Sequence, residues 1–186
     1  TNTIQHIESD TTDGRTPSIA IGQDGLPVVA FQDRTGIGTL KILKCGTISC
    51  VPSVGATNTI QSIVAETNEG YYPSLAIGQD GSPSVAYQNS NQSTIGTIKF
   101  VKCGTPSCIP VVGGATNTIS SIESTTDGID GWRPSLAIGS DGLPVIAHRR
   151  ELGDEIIKFV KCANVYCDPT DGVNPGLKNF LPTSST

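Results

Sequence analysis

The chain has 186 residues, of which only 5% are aromatic, with 21 glycines, 12 prolines and a net charge of −5. The negative charge without a basic run excludes ordinary electrostatic binding to nucleic acid. The lack of any run of ~20 apolar residues excludes a membrane-spanning helix, so we expect a soluble protein without membrane insertion. Frequent glycine and proline favour an array of short elements.

The sequence repeats itself three times. The motif TNTI begins at Thr1, Thr57 and Thr116, which gives periods of 57 − 1 = 56 and 116 − 57 = 59 residues. A fixed period of this size is typical of propellers and other repeat architectures. We therefore predict a single repeat domain over 1–186. Its parts are repeats 1–56, 57–115 and 116–175 and a C-terminal tail at 176–186 that forms an extra strand.

The first predicted strand of each repeat is NTIQHIES at 2–9, with counterparts at 58–65 and 117–124. Apolar and polar residues alternate partially in it, which is typical of a half-exposed outer strand. We expect this outer strand to complete the sheet of the preceding repeat.

The second and third strands are SIAIG and PVVAF, which return in all three repeats. These are nearly continuous apolar runs rich in β-branched residues, as in strands covered on both faces. Asp24-Gly25 between them supplies the positive φ of a tight hairpin. Pro27 has no N–H to donate, so it should stand where the third strand begins.

The fourth strand is TLKILKC at 39–45, with counterparts at 97–103 and 156–162. Leu40 and Ile42 share one face, and lysine stems mix with Leu43 on the other. Four antiparallel strands with apolar inner members describe a propeller blade. We predict an all-β fold of three four-stranded antiparallel propeller-like blades; the alternative is a β-trefoil, which also has three repeats of four strands.

The repeated stretches PSLAIGxDGxPxxAY and IKFVKC resemble the blade repeats of secreted bacterial sialidase-like β-propeller proteins. The resemblance covers nearly the whole chain. Ser140-Asp141-Gly142 is a compressed fragment of the aspartate box S-x-D-x-G-x-T-W, and no Thr-Trp follows it. The resemblance implies a secreted propeller and, as the least favoured function, a sialidase-like glycosidase.

The six cysteines fall in three pairs of spacing C-x4-C. These pairs are Cys45 with Cys50, Cys103 with Cys108, and Cys162 with Cys167. Their even number and regular placement predict disulfides in an oxidising compartment. Because each bridge would close only a short loop, we expect it to pin that loop rather than hold the fold globally. Structural zinc is the alternative, but it joins two thiolate pairs and would leave the third pair without a partner.

The predicted disulfides indicate an extracellular or cell-surface protein. Because the chain opens on Thr1 without a leader, we expect a processed form or a fragment.

No catalytic constellation is evident in the sequence. Sialidase chemistry needs an arginine cluster and a Tyr-Glu pair, and neither is marked. The repeated acids Asp24, Asp80 and Asp141 lie in predicted turns. His6 and His148 lie in no Ser/His/Asp or Cys/His motif. The acidic loops lack EF-hand ligand spacing. We expect no catalysis, no cofactor and no metal site.

The repeats disagree just before the shared Pro-Ser of the second strand. The differing residues are Arg15, Tyr71, Tyr72, Trp132 and Arg133. Aromatic and arginine side chains combine apolar area with hydrogen-bond donors, so these residues predict a blade rim that binds a glycan or a protein partner. The alternative function is accordingly a lectin-like module. The strand ends at 32–34, 88–89 and 148–150 are predicted to form a second rim.

Three blades are fewer than the four to eight that typically close a propeller. Either the chain is part of a longer ring, or copies associate. The tail GLKNFL at 176–181 falls where the third blade needs its outer strand. The segment with Asn2, Ile4, His6 and Ile7 is then spare, and a spare edge strand pairs with a partner. We predict a non-enzymatic structural or adhesive protein that forms homo-oligomeric rings or filaments by donating this strand.

Overall fold

The computed structural model describes residues 4, 6–7, 14–34, 38–63, 69–90, 96–124, 131–150, 156–168 and 178–179. The described elements are all strands: β1 (Arg15–Ile21), β2 (Pro27–Asp33), β3 (Thr39–Lys44), β4 (Thr59–Ser62), β5 (Tyr71–Ile77), β6 (Pro83–Ser90), β7 (Gly96–Lys102), β8 (Thr118–Ser124), β9 (Trp132–Ile138), β10 (Pro144–Arg149), β11 (Ile157–Lys161) and β12 (Lys178–Asn179). The all-β prediction is confirmed. The described part of the chain contains no helix long and apolar enough to cross a membrane.

The strands form three separate antiparallel sheets of four strands. We call β1-β2-β3-β4 the head sheet, β5-β6-β7-β8 the middle sheet and β9-β10-β11-β12 the tail sheet. The strand that opens repeat two, β4, pairs with β3 of repeat one, and β8 pairs with β7 in the same way. In the tail sheet β12 pairs with β11, with Asn179 opposite Lys158. Each described outer strand therefore joins the sheet that precedes it in the chain.

The Asp-Gly turns close the hairpins as expected. Asp24 Oδ1 accepts a hydrogen bond from the Leu26 N–H at 3.0 Å, and Gly25 has φ 76°. Pro27 lies at the start of β2, opposite Ile21. The same aspartate binds Lys44 Nζ at 2.7 Å. This contact ties the turn to the end of β3, which lies beside it because the strands alternate in direction.

The three sheets stack face to face, with β5 between β1 and β9. Between the head and middle sheets the core contains Leu40, Ile42 and Tyr87. Between the middle and tail sheets it contains Ile98, Phe100 and Ile146. Since successive strand residues point to opposite faces, the middle sheet contributes to both cores.

The three predicted disulfides are present, each with its Cα atoms 4.9 Å apart. They are Cys45–Cys50, Cys103–Cys108 and Cys162–Cys167. All-β sheets with local disulfides are consistent with an extracellular protein.

The second cysteine of each pair has a backbone conformation that the sequence did not indicate. Cys50, Cys108 and Cys167 have φ values of 58°, 57° and 52°. This left-handed conformation is uncommon for residues other than glycine. Each occurs where the chain turns back to bring the second sulfur to the first, and the N–H of Cys167 donates to the Asn164 carbonyl at 3.2 Å across that turn.

Two of the three disulfides also lie in the cores between the sheets. Cys162 and Cys167 are 4% and 6% exposed and belong to the core between the middle and tail sheets. Cys103 and Cys108 belong in the same way to the core between the head and middle sheets. The loops fold back onto the neighbouring sheet, so these sulfurs also contribute to packing between sheets.

The asparagine of TNTI holds the loop of the preceding disulfide. Asn58 Oδ1 accepts from the Gly46 N–H at 3.0 Å, and Asn58 Nδ2 donates to the Cys50 carbonyl at 2.9 Å. Asn117 makes the same pair of bonds in the next repeat. The start of each of these repeats is thereby anchored to the end of the one before it.

Candidate functional site

The register of each sheet shifts at the start of its first strand (β1, β5 or β9), where the predicted rim residues lie. The register shifts between residues 15 and 18 and between residues 71 and 74. At these shifts Thr16, Tyr72 and Arg133 have φ values of 48°, 50° and 48°. This left-handed conformation is uncommon for residues other than glycine, and it also occurs at the second cysteine of each disulfide.

Four of the five predicted rim residues lie together at the middle and tail sheets. The rings of Tyr72 and Trp132 have centroids 5.0 Å apart at 53°, and the Tyr71 ring is 6.4 Å from that of Tyr72. The Arg133 guanidinium carbon lies 5.4 Å from the Tyr72 centroid and 5.9 Å from that of Trp132. We call these four residues the aromatic cluster. Arg15, the fifth, is exposed at the equivalent position of β1.

The predicted second rim is wrong, because its residues belong to the first. Arg15 pairs with Gln32, Tyr71 with Gln88 and Trp132 with Arg149. In an antiparallel hairpin the end of the second strand lies beside the start of the first. The variable strand ends therefore flank the aromatic cluster, and the other end of each sheet carries the Asp-Gly turn and the disulfide loop.

A buried polar cluster that the sequence did not reveal surrounds Glu69, just before β5. Glu69 accepts hydrogen bonds from the Tyr87 hydroxyl at 3.2 Å and the Asn89 amide at 2.9 Å, and it forms an ion pair with Lys99. Glu69 and Tyr87 are both fully buried. Tyr87 belongs to the core between the head and middle sheets, and its bond to Glu69 is buried. The sequence signal that could have indicated this cluster is the acidic residue followed by glycine that precedes the first strand of each sheet.

The two histidines have different settings. His148 is buried, and its Nδ1 accepts a hydrogen bond from the Gly131 N–H at 3.1 Å. It takes the position that Phe31 and Tyr87 occupy in the other sheets, which favours a packing role. His6 is exposed.

Each Asp-Gly turn carries a lysine–aspartate ion pair. The Lys44 ammonium lowers the pKa of Asp24 below its ordinary value of 3.8, and Lys161 does the same for Asp141. For Asp80, burial raises the pKa, but the bonds from Lys102 and the Ser82 N–H outweigh it and the pKa is lowered. At neutral pH these carboxylates are therefore ionised, and their oxygens are bonded to the lysine and to the backbone N–H of the turn.

The described residues contain no group of three or more His, Cys, Asp or Glu side chains placed to hold a metal ion. Most of the acidic loop residues considered from sequence, at 8–13, 66–68 and 125–130, lie outside the described residues. Of the predicted assembly strand, Asn2 lies outside them, while Ile4, His6 and Ile7 are exposed.

The outer faces of the two end sheets expose apolar residues whose counterparts are buried inside the stack. On the head sheet Ile19 is 65% exposed, whereas its counterparts Leu75 and Leu136 are 7% and 9% exposed. On the tail sheet Ile157 is 68% exposed, whereas its counterparts Leu40 and Ile98 are at 0%. We call the β1–β2 surface with Ile19 and Ile21 the head face, and the β9–β11 surface with Ile157 and Phe159 the tail face.

The head face is partly covered at its outer side. Phe31, Leu43 and the Cys45–Cys50 disulfide form a small cluster of their own, with Val29 packed against it. The exposed part is the strip along β1. At the two internal interfaces the equivalent strands, β5 and β9, are covered by the preceding sheet.

A scan against protein-family models and a search of curated proteins found no match to the chain.

Proposed function

We propose that this protein is a non-enzymatic structural or adhesive subunit of the extracellular space that associates with further copies of itself. In this proposal the three sheets are propeller blades, with β1, β5 and β9 innermost. The successive packing of β1 on β5 and of β5 on β9 supports that arrangement. The three disulfides support an extracellular or cell-surface location.

The observation that carries the proposal is the exposure of Ile19 on the head face and of Ile157 on the tail face. The head face and the tail face are the two halves of an interface that the chain already forms twice internally. Contiguous exposed apolar surface marks interaction sites. A second copy has the complementary face, so association buries Ile19 and Ile157 without requiring any other partner.

Mass in solution tests the proposal. We expect analytical ultracentrifugation of the chain to show a closed oligomer or a polymer whose population rises with concentration. Two copies would bring together six sheets, a number that closes a propeller. A chain that stays monomeric over the whole accessible concentration range contradicts self-association.

Donation of the N-terminal strand is the route predicted from sequence. A chain that lacks residues 1–9 tests it, because strand donation requires this segment. An unchanged assembly state would exclude donation while leaving self-association intact.

The second candidate function is glycan or protein binding at the aromatic cluster. The favouring observation is the half-buried Tyr72 and Trp132 pair with the exposed Arg133 over both rings. Aromatic faces pack on the C–H faces of sugars, and the guanidinium donates hydrogen bonds to hydroxyls.

A glycan array tests this second function. Specific binding that Trp132→Ala abolishes supports a lectin. The control is Tyr166→Ala, which removes a half-exposed ring from the third disulfide loop. No binding, or equal loss in both variants, argues against a site at the aromatic cluster.

A further inference from the structure

We infer that copies of this chain join tail face to head face, in the same register that joins neighbouring sheets within the chain. The inference rests on the proposed self-association and names its interface: Ile157 of one copy packs against Ile19 of the next. The two internal interfaces provide the template. Leu40, the counterpart of Ile157, lies in one core with Leu75, the counterpart of Ile19. Ile98 and Leu136 lie together in the other core in the same way.

A hydrogen bond to a serine hydroxyl recurs between successive sheets and supports this register; we call it the serine rung. The Leu75 N–H donates to Ser18 Oγ of the preceding sheet at 3.0 Å, and the Leu136 N–H donates to Ser74 Oγ at 2.9 Å. The next acceptor in the series is Ser135, on the exposed edge of the tail sheet. The next donor is the N–H of Ile19, whose register opposite Val29 matches that of Leu75 opposite Val85.

A hydrogen bond from a glutamine side chain crosses the same interfaces at the end of the sheets that carries the Asp-Gly turns; we call it the glutamine rung. Gln23 Nε2 donates to the Gln79 carbonyl at 2.8 Å, and Gln79 Nε2 donates to the Ser140 carbonyl at 3.2 Å. The amide lies against the glycine of the following turn: a Cβ at Gly142 would come within 2.8 Å of Gln79 Oε1. The corresponding position at Gly25 of the head sheet is open, with no atom within 4 Å of an added Cβ.

The third repeat has Ser140 where the first two have glutamine. The serine side chain is too short to repeat the rung. The junction between copies therefore keeps the exposed residues Ile19 and Ile157 and the serine rung but lacks one hydrogen bond that each internal interface contains. We expect it to be weaker than the internal interfaces and reversible.

The outer edge of the tail sheet differs from the edges that accept a TNTI strand. A Cβ added at Gly46 would lie 2.5 Å from the backbone of Ala56, and one at Gly104 would lie 2.6 Å from the Thr116 carbonyl oxygen. The third repeat has Ala163 at this position. Its Cβ opposes the close approach on which the asparagine anchor depends, and β12 already pairs with β11. Face packing, rather than a donated TNTI strand, is therefore the contact that the tail sheet can repeat.

The interface is directional. The tail face presents Ile157 and a serine acceptor, and the head face presents Ile19 and an N–H donor, so neither face is self-complementary. Such heterologous contacts close into a ring when the rotation permits and otherwise extend into a fibre.

Two charge variants test the two faces separately. Ile19→Arg blocks the head face and Ile157→Arg blocks the tail face; both side chains are exposed in a single copy, so folding should be retained. We expect each variant alone to be monomeric in analytical ultracentrifugation. A mixture should form a one-to-one dimer, because each variant keeps the face that the other lacks.

The matched control is Val54→Arg, a fully exposed residue that follows the first disulfide loop, away from both faces. It should assemble as the parent chain does. If the parent chain assembles but neither face variant changes its mass, tail-to-head packing is wrong while self-association stands. If the mixture stays monomeric although each variant is folded by circular dichroism, the pairing of these two faces is wrong. A monomeric parent chain removes both proposals.

The missing rung gives a second test. Ser140→Gln should lower the dissociation constant of the one-to-one dimer by roughly 2- to 10-fold, the contribution of one hydrogen bond. The substitution is made in the Ile19→Arg chain, which supplies the tail face. Ser140→Glu is the control, since it has the same length but no donor N–H. Equal dissociation constants for Gln and Ser, or an equal gain from Glu, would contradict the proposed register.

Discussion

The middle sheet and the two end sheets have almost the same sequence but different environments. In the middle sheet both faces are covered, and Leu75, Val85, Ile98 and Phe100 are buried. In the head sheet Ile19 and Ile21 are exposed, and in the tail sheet Ile157 and Phe159 are exposed. The comparison teaches that the same repeated apolar residue is buried or exposed according to what packs against it in the stack.

The largest loss of stability is expected when the buried ion pair of Glu69 and Lys99 loses its carboxylate. Glu69→Ala leaves the Lys99 ammonium at a largely buried site, and this should lower the free energy of unfolding by about 3–5 kcal/mol in urea denaturation. The comparison is Asp141→Ala at the exposed turn of the tail sheet, where water screens the ion pair with Lys161 and the loss should be far smaller. Equal losses would show that burial does not distinguish the two pairs.

The next effect contrasts one residue position in two environments. Ile98→Ala removes a fully buried side chain and should cost about 2–5 kcal/mol. Ile157→Ala, its counterpart on the tail face, should change the stability of the dilute monomer by less than about 0.5 kcal/mol. Both are measured by urea denaturation with the same baseline. A large loss at Ile157 would mean that the tail face is covered within a single copy.

The disulfides give a smaller contrast. Closing a loop of six residues stabilises by roughly 2 kcal/mol in the chain-entropy model, so removing any one disulfide should cost about that much. Cys103 and Cys108 are also part of the core between the head and middle sheets, so their double alanine variant should lose more than the Cys45 and Cys50 variant. Thermal unfolding of the two double variants measures the difference, and the reverse order would contradict it.

The smallest effect is the pH dependence from the turn aspartates. Their pKa values are lowered in the folded protein, so the unfolded state binds more protons in acid. Their contribution is therefore fully present above about pH 3.8, the ordinary aspartate pKa, and is lost as the pH falls through the lowered values. Thermal unfolding should show this decline below about pH 4, and Asp80→Asn should reduce it. An unchanged profile would mean that Lys102 does not stabilise the ionised carboxylate.

Particular residues show how far sequence reasoning reached. The Asp24-Gly25 turn, the strand entrance at Pro27 and the disulfides are local features, and short-range patterns predicted them. The Lys44 contact with Asp24 was missed because it joins a turn residue to a strand residue 20 positions further along the chain. The Glu69 cluster was missed because its members come from different strands and a connection.

One feature was interpreted wrongly and another was missed, because both depend on where the chain goes next. The second rim was assigned to the wrong end because the prediction did not follow strand direction through the hairpin. The packing of Cys162 and Cys167 was not predicted: their loop lies against the neighbouring sheet, and both residues are buried there. Spacing in the sequence predicts which cysteines pair, whereas it carries no information on what surrounds the pair.

The sequence by itself determined the repeat, the all-β class, the hairpins and the cysteine pairing, because each depends on residues near one another in the chain. Only the tertiary structure decided which copies of the repeated apolar residues are buried, because burial depends on what packs against each residue in the folded chain. Ile19 is exposed while its counterpart Leu75 is covered, whereas Phe31 and Leu43 are buried on the same head sheet. The tertiary structure also brought Tyr72, Trp132 and Arg133 together from two repeats. The nearly identical strands of the repeats thus acquire different roles through packing alone: one sheet forms an interior, and two present surfaces.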